Sequence, residues 1–350
     1  ICLIRITLDN GLVGWGEGYG PAGLVKAGIE FFTPLILGNS PLAQEKLWQS
    51  MYLGSLDHAR SGVLLSALSA IDIALWDLRG KILDQPISVL LGGRKRDSVK
   101  AYATGLYFTD CDDLTATLAD EAERHKQQGF TAVKMKVGLG VEPDAKNVQA
   151  VRTALGPDVD LMIDANHAYS FREALYLAET VEESDLAWFE EPLSPEDYAG
   201  YAELRERSRI PIAAGECEYL RHGFLRLFKD RCVDIAQPDP CATGGITETK
   251  KIGDLAQTFG VDFAPHCWGS CIAVATSLHL LSNWDPSPGR LFDREPLLEL
   301  DRTQNLFREE LGYPKYTLRD GRVQVPEGPG LGVEINEGLV SKHTIDTFSS

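Results

Sequence analysis

Three carboxylates stand at one interval in this chain: Asp164, Glu190 and Glu216 are successively 26 residues apart. Each closes a short apolar run, Asp164 in LMIDAN, Glu190 in AWFEEP and Glu216 in PIAAGE, and each precedes a helical pattern. A strand, a helix and two connecting loops take about 25 residues, so the interval is one βα unit repeated. Consecutive parallel strands then deliver one acid each to a common C-terminal rim. Three carboxylates crowded there cannot all stay ionised without a cation among them. An all-oxygen set without His or Cys suits Mg²⁺, with Mn²⁺ as the alternative, over Zn²⁺.

The same rhythm begins at about Val99. Strands are predicted at 99–106, 131–136, 160–164, 187–190, 211–215, 233–237, 261–265 and 297–300. Helices fit between them at 112–128, 142–155, 171–183, 196–208, 219–230, 245–259 and 270–283. Eight strands with intervening helices fit a closed (β/α)₈ barrel, an α/β fold, better than an open sheet. Upstream, residues 1–18 read as a hairpin turning at Asn10-Gly11. Residues 22–37 and 41–53 look helical, and 62–83 forms a long apolar-periodic helix ended by Pro86. The tail returns to turns and alternation. The expected division is an α+β capping domain over 1–95, a barrel catalytic domain over 96–304, and a C-terminal return to the cap over 305–350. The glycine-rich GWGEGYG, residues 14–20, opens no helix of a βαβ unit and is not a dinucleotide fingerprint. It is expected to form a turn and a mobile loop near the barrel mouth.

Charge and cysteine usage narrow the function. A net charge of −17 with no basic run argues against binding nucleic-acid phosphates or an anionic membrane. Seven scattered cysteines without a CxxC pair point to a reducing cytoplasm. No apolar stretch is long enough to span a bilayer, and no signal peptide is visible. The expected partners are a small anionic substrate and further copies of the same chain.

The rest of the rim supplies the chemistry. Strand two carries Lys134-Met135-Lys136, and alternation places both lysines on the barrel's interior face. Strand six ends in Gln237-Pro238-Asp239 and strand seven in Pro265-His266, so Asp239 and His266 are again one βα unit apart. A carboxylate beside an imidazole fixes its tautomer and leaves the other nitrogen to move protons. Bases on either side of a metal suit removal of a proton from carbon next to a carboxylate, with the cations stabilising the enediolate dianion. Lys136 must be neutral to act as such a base, and a second ammonium at Lys134 would favour that form. Glu191 reads as a supporting or helix-start acid. His167 reads equally as a substrate contact or a loop cap. Trp15, Tyr19 and Trp268 are pocket candidates whose usual role is packing.

The motifs VKMKVG, LMIDANHAY, WFEEP, AAGE, QPD and PHCWGS, in this order and spacing, resemble the enolase superfamily, mandelate racemase subgroup. ALSAIDIALWDLRGK resembles that group's cap helix and GPGLGVEI its C-terminal return, so the resemblance covers essentially the whole chain. It implies that Asp164, Glu190 and Glu216 are the Mg²⁺ ligands, Lys136 the base on one face, and Asp239–His266 the base or acid on the other. It implies that Lys134, Asn166 and Glu299 contact the substrate carboxylate or its neighbouring oxygen. It also implies that the family's first cap strand and specificity loop precede Ile1. LLELDRTQNLFRE and DIAQPDP are similar to acid-sugar enzymes, including those that cycloisomerise galactarolactone. The expected reaction begins with proton abstraction from a sugar acid. Dehydration of an aldonate or aldarate ranks first, cycloisomerisation of a sugar-acid lactone next, and racemisation or epimerisation after these. A rival of a different class is a non-catalytic acid-sugar binder, which would retain the metal acids and lose a base. A zinc or manganese hydrolase would want histidines on the early strands, and these have none.

Overall fold

The structure, a computed structural model, describes residues 1–285 and 295–349. It opens with an antiparallel hairpin of β1 (Cys2–Thr7) and β2 (Val13–Gly18). Glycines alternate along β2 at 14, 16 and 18, so one face of the strand has no side chains. That bare face lies against the helix Val63–Leu83. A Cβ on Gly14 would stand 2.4 Å from the carbonyl oxygen of Ala74, and one on Gly16 2.0 Å from that of Ala70. GWGEG is therefore a buried strand seated on a helix, and the expected mobile loop over 14–20 is corrected to this. Only at Tyr19 does the chain leave the strand and reach the barrel mouth. Gly16→Ala should cost about 1–3 kcal/mol, the range for overpacking a filled site, read by denaturant unfolding.

The long helix is buried on nearly all sides because it lies between the hairpin, the helices Ala22–Ile36 and Gln44–Gly54, and the barrel. Two of its carboxylates hold these parts together. Asp72 accepts from the Thr247 amide (2.9 Å), the Thr247 hydroxyl (2.6 Å) and Gln44 (3.0 Å), tying the helix to the start of the barrel helix Gly245–Phe259. Gly245 permits this approach, since a Cβ there would stand 2.3 Å from Asp72. Asp77 accepts from the amides of Trp15 and Leu331, both at 2.9 Å, joining the hairpin to the tail.

The barrel strands are β3 (Ser98–Thr104), β4 (Ala132–Lys136), β5 (Asp160–Asp164), β6 (Leu186–Glu190), β7 (Ile212–Ala214), β8 (Ile235–Ala236), β9 (Asp262–Phe263) and β10 (Leu297–Asp301). They pair in parallel in the order β10-β3-β4-β5-β6-β7-β8-β9, with the seven expected helices between them. β10 folds back beside β3, as a barrel requires. The expected closure is incomplete in hydrogen bonds. Among the described residues β9 and β10, the two ends of this order, share no ladder, and β8 and β9 each hold only two residues. Inside the barrel Tyr102, Ala132, Met162, Trp188, Ala213, Ile235 and Ala264 form a separate apolar layer. The tail touches both bodies: Arg322–Gln324 pairs antiparallel with β3, and Arg5 bridges to Glu337. Among the described residues no helix is long and apolar enough to cross a membrane.

Candidate active site

The parallel register lifts the site out of the apolar layer. Lys136 on β4 is level with Asp164 on β5, and Asp164 is level with Glu190 on β6. A register shift after Leu161 makes the second alignment. Leu161 faces Leu186 but Met162 faces Trp188, so one extra residue on β6 brings Glu190 up to Asp164. Alternation then points Lys134, Lys136, Met162, Asp164, Trp188 and Glu190 to the interior. Glu216 stands beyond the end of β7, whose Ala213 is level with Glu190.

Glu190 is fully sunk. One oxygen accepts from Lys134 (2.5 Å); the other accepts from Gln237 (2.6 Å) and the Trp188 indole (2.9 Å). Burial pushes its carboxyl up to about 7; Lys134 pulls against this, and Asp164, Glu299 and Glu216 add to it. Lys134 is held charged, well above its ordinary range: burial opposes the charge, but Glu190, Glu299 and Asp164 around it prevail. Its ammonium is 2.9 Å from Glu299 and 3.4 Å from Asp164. Glu299 also accepts from the Thr104 hydroxyl (2.5 Å) and the Cys267 amide (2.8 Å). Despite burial, Lys134 and then His266 hold Glu299 well below the usual carboxylate range. Asp164 is likewise lowered against its burial, by Lys134 and Lys136. The two lysines differ in access. The Lys134 side chain is 1% exposed and that of Lys136 16%, so both line the cavity and Lys136 is the more open of the two. Its ammonium lies 2.5 Å from Asp164 and 2.7 Å from the Asn166 side-chain oxygen.

On the other flank, His266 Nδ1 is 2.7 Å from Asp239, and Nε2 is 3.4 Å from Glu216. Burial disfavours charge on this ring. Glu216, the hydrogen bond to Asp239, and Glu299 outweigh it and raise its proton affinity well above the ordinary value. The Tyr19 ring meets the imidazole edge-on at 5.6 Å. A cavity of about 380 Å³ opens over these groups, with Lys136, His266, Glu216, Asn166 and Glu299 in its lining and Tyr19, Tyr107, Phe108 and Trp268 as aromatic walls. Trp15 instead lies in the core.

Of the sequence-derived candidates, Lys134, Lys136, Asp164, Asn166, Glu190, Glu216, Asp239, His266 and Glu299 come together here. His167 spends its ring on the Leu193 carbonyl (3.1 Å) and Glu191 (3.1 Å). Sequence reasoning passed over Gln237 and Thr104, which anchor Glu190 and Glu299, and the walls Tyr107 and Phe108. Gln237 was signalled by its place beside Asp239 at a strand end; the others carry no signal beyond position.

A divalent cation fits the acids. Ligand oxygens of Asp164, Glu190 and Glu216 lie within 4.8 Å of one another. The edges and diagonals of an oxygen octahedron at 2.0–2.1 Å span about 3 and 4 Å.

Comparison with known proteins places the chain. Residues 1–92 match the model of the mandelate racemase / muconate lactonizing enzyme N-terminal domain, and residues 117–339 that of the enolase C-terminal domain-like family. The crystal structure of the 3,6-anhydro-D-galactonate cycloisomerase from Zobellia galactanivorans superposes with a TM-score of 0.91 at 53% identity, covering 97% of this chain and 93% of that one. D-galactarolactone cycloisomerase from Agrobacterium fabrum (strain C58 / ATCC 33970) is 42% identical over 97% of this chain and 90% of its own length. Arabinonate dehydratase from Saccharolobus solfataricus is 34% identical over 98% and 90%.

Proposed function

This chain belongs to the mandelate racemase / muconate lactonizing enzyme family of the enolase superfamily, and from that premise we propose that it opens the ring of a cyclic sugar acid by β-elimination. It is an enzyme of a superfamily whose members include dehydratases and cycloisomerases. The observation that carries the proposal is the pairing of Lys136, the more open of the two lysines on its strand, with the buried Asp239–His266 dyad beside the carboxylate cluster. The relatives at 53% and 42% identity, both named for cyclic substrates, favour a ring oxygen as the leaving group. Four aromatic side chains line the cavity, and an aromatic ring suits the C–H side of such a substrate.

In this reading Asp164, Glu190 and Glu216 hold Mg²⁺. When bound, the ion supplies positive charge against the charge that develops on the substrate carboxylate. Lys136, as the neutral amine, takes the proton from the carbon next to the carboxylate. Asn166 holds the Lys136 nitrogen in place through its side-chain oxygen. The electrons left behind form the carbon–carbon double bond as the bond from the β-carbon to the ring oxygen breaks. His266 starts protonated and gives its Nε2 proton to that departing oxygen, while Asp239 holds Nδ1. The enol, which carries the α-hydroxyl, then becomes a ketone by taking a proton on the former β-carbon and giving up its hydroxyl proton to solvent. No atom is lost, so the product is an isomer. Lys134, Gln237 and Glu299 position the cluster from beneath. The catalytic unit of this proposal is the 96–304 barrel, roofed by residues 1–95 and braced by 305–350.

The second reading is dehydration of an open aldonate. The arabinonate dehydratase relative supports it, and the same residues would pass the His266 proton to a departing hydroxyl. A panel of cyclic sugar acids, sugar-acid lactones and open aldonates with Mg²⁺ separates the two by mass, since only dehydration loses water. No turnover across the panel would refute both.

The dyad carries a pH signature. The charged imidazole is favoured in part by Asp239, so the acid form persists above its ordinary range and is lost as pH rises through the raised value. Asp239→Asn removes one anion and should lower the His266 proton affinity. The alkaline limb of kcat/KM should therefore move to lower pH, measured as a pH–rate profile beside the wild type.

A further inference from the structure

Beside the carboxylate cluster, three further side chains of different chemistry converge. His167 follows β5, Glu191 follows β6 and Cys217 follows β7. One ligand atom from each lies within 4.8 Å of the others. His167 Nε2 is 3.1 Å from Glu191 Oε2 and 3.6 Å from Cys217 Sγ. Tetrahedral zinc with bonds of about 2.0–2.1 Å to nitrogen or oxygen and about 2.3 Å to sulfur sets ligand edges of about 3.3 Å and 3.6 Å. Both separations are close to those edges.

A second observation points the same way. His167 Nδ1 lies 3.1 Å from the Leu193 carbonyl oxygen. A carbonyl only accepts, so Nδ1–H is spent on it and Nε2 is the nitrogen left toward Glu191 and Cys217, where a cation would take the place of a proton. Metal-bound histidines are held in this way, by a carbonyl on the far nitrogen. His167 and Glu191 both sit at positive φ, 70° and 42°. Cys217 is exposed and Glu191 buried, so the trio opens to solvent on one side. The soft sulfur and the imidazole distinguish it from the all-oxygen set next to it.

We propose that His167, Glu191 and Cys217 form a second metal site, for a zinc-class cation such as Zn²⁺ or Co²⁺, separate from the carboxylate site. The thiol gives up its proton on binding, and solvent completes the tetrahedron. This goes beyond the reaction proposed above and stands without it.

Co²⁺ titration of the Mg²⁺-saturated protein under reducing conditions tests it. A thiolate bound to Co²⁺ gives a near-ultraviolet charge-transfer band that an all-oxygen site cannot produce. Wild type should develop this band to one equivalent per chain, and added Zn²⁺ should abolish it. Cys217→Ser should lack the band while keeping the wild-type unfolding midpoint. His167→Ala should need at least tenfold more Co²⁺ to reach it. Absence of the band in wild type overturns the site, and so does an undiminished band in Cys217→Ser, which would place the thiolate at another cysteine. Loss of catalysis on every sugar acid, with the band intact, would count against the proposed reaction and leave this site standing.

Discussion

Lys136→Ala should lower kcat on the true substrate by about 10³-fold, within the range a positioned general base contributes, with the fold unchanged. The side chain is partly exposed to the cavity, where it bonds to Asp164 and Asn166 and lies 5.6 Å from the Tyr107 ring centroid, so its loss leaves no hole in the core. Exchange of the α-proton with solvent should disappear together with product, because the same base initiates both. KM should change little, since a general base acts in the transition state rather than in substrate binding. Steady-state kinetics and proton exchange in D₂O check this together. Normal turnover in the variant would assign the base elsewhere.

Lys134→Met should act on stability as much as on rate. Lys134 lies between Glu190, Glu299 and Asp164, all buried. Removing one partner of a buried ion pair costs about 3–5 kcal/mol, because the opposite charge is left uncompensated. The loss should be larger in chelator than in excess Mg²⁺, since a divalent cation at Asp164 and Glu190 replaces part of the missing charge. Denaturant unfolding in both conditions measures the difference. Equal losses would mean that no cation binds at these acids.

Much of this was legible in the chain because a repeated βα unit imposes a ruler. The strand runs, the helices between them and the acids at their ends follow from apolar patterning and spacing. The ruler says less about height. Asp164 and Glu190 are level only because of the register shift after Leu161, and a shift of that kind leaves no mark in composition. Glu216 keeps the 26-residue interval yet stands past the end of a three-residue strand. GWGEGYG misled because glycine usually signals a turn, whereas here the alternate glycines clear one face of a strand for a helix carbonyl. Gln237 and Thr104 were missed because an amide or hydroxyl acquires its role from the carboxylate it meets, and that meeting is long-range. His167 was read both ways, and its ring position depends on a left-handed backbone that the sequence does not announce.

The most direct measurement follows deuterium through the reaction in wild type and His266→Asn. A cyclic sugar acid, with its ring oxygen on the carbon β to the carboxylate, is incubated with Mg²⁺ in D₂O and followed by NMR and mass spectrometry. Wild type should convert it to an isomeric 2-keto acid carrying one deuterium on the former β-carbon. His266→Asn should form no product yet slowly exchange the α-proton of the substrate, because Lys136 still removes it and only the acid for the ring oxygen is gone. Product formation at the wild-type rate in His266→Asn, or loss of exchange and product together, would contradict the assignment of Lys136 as base and His266 as acid.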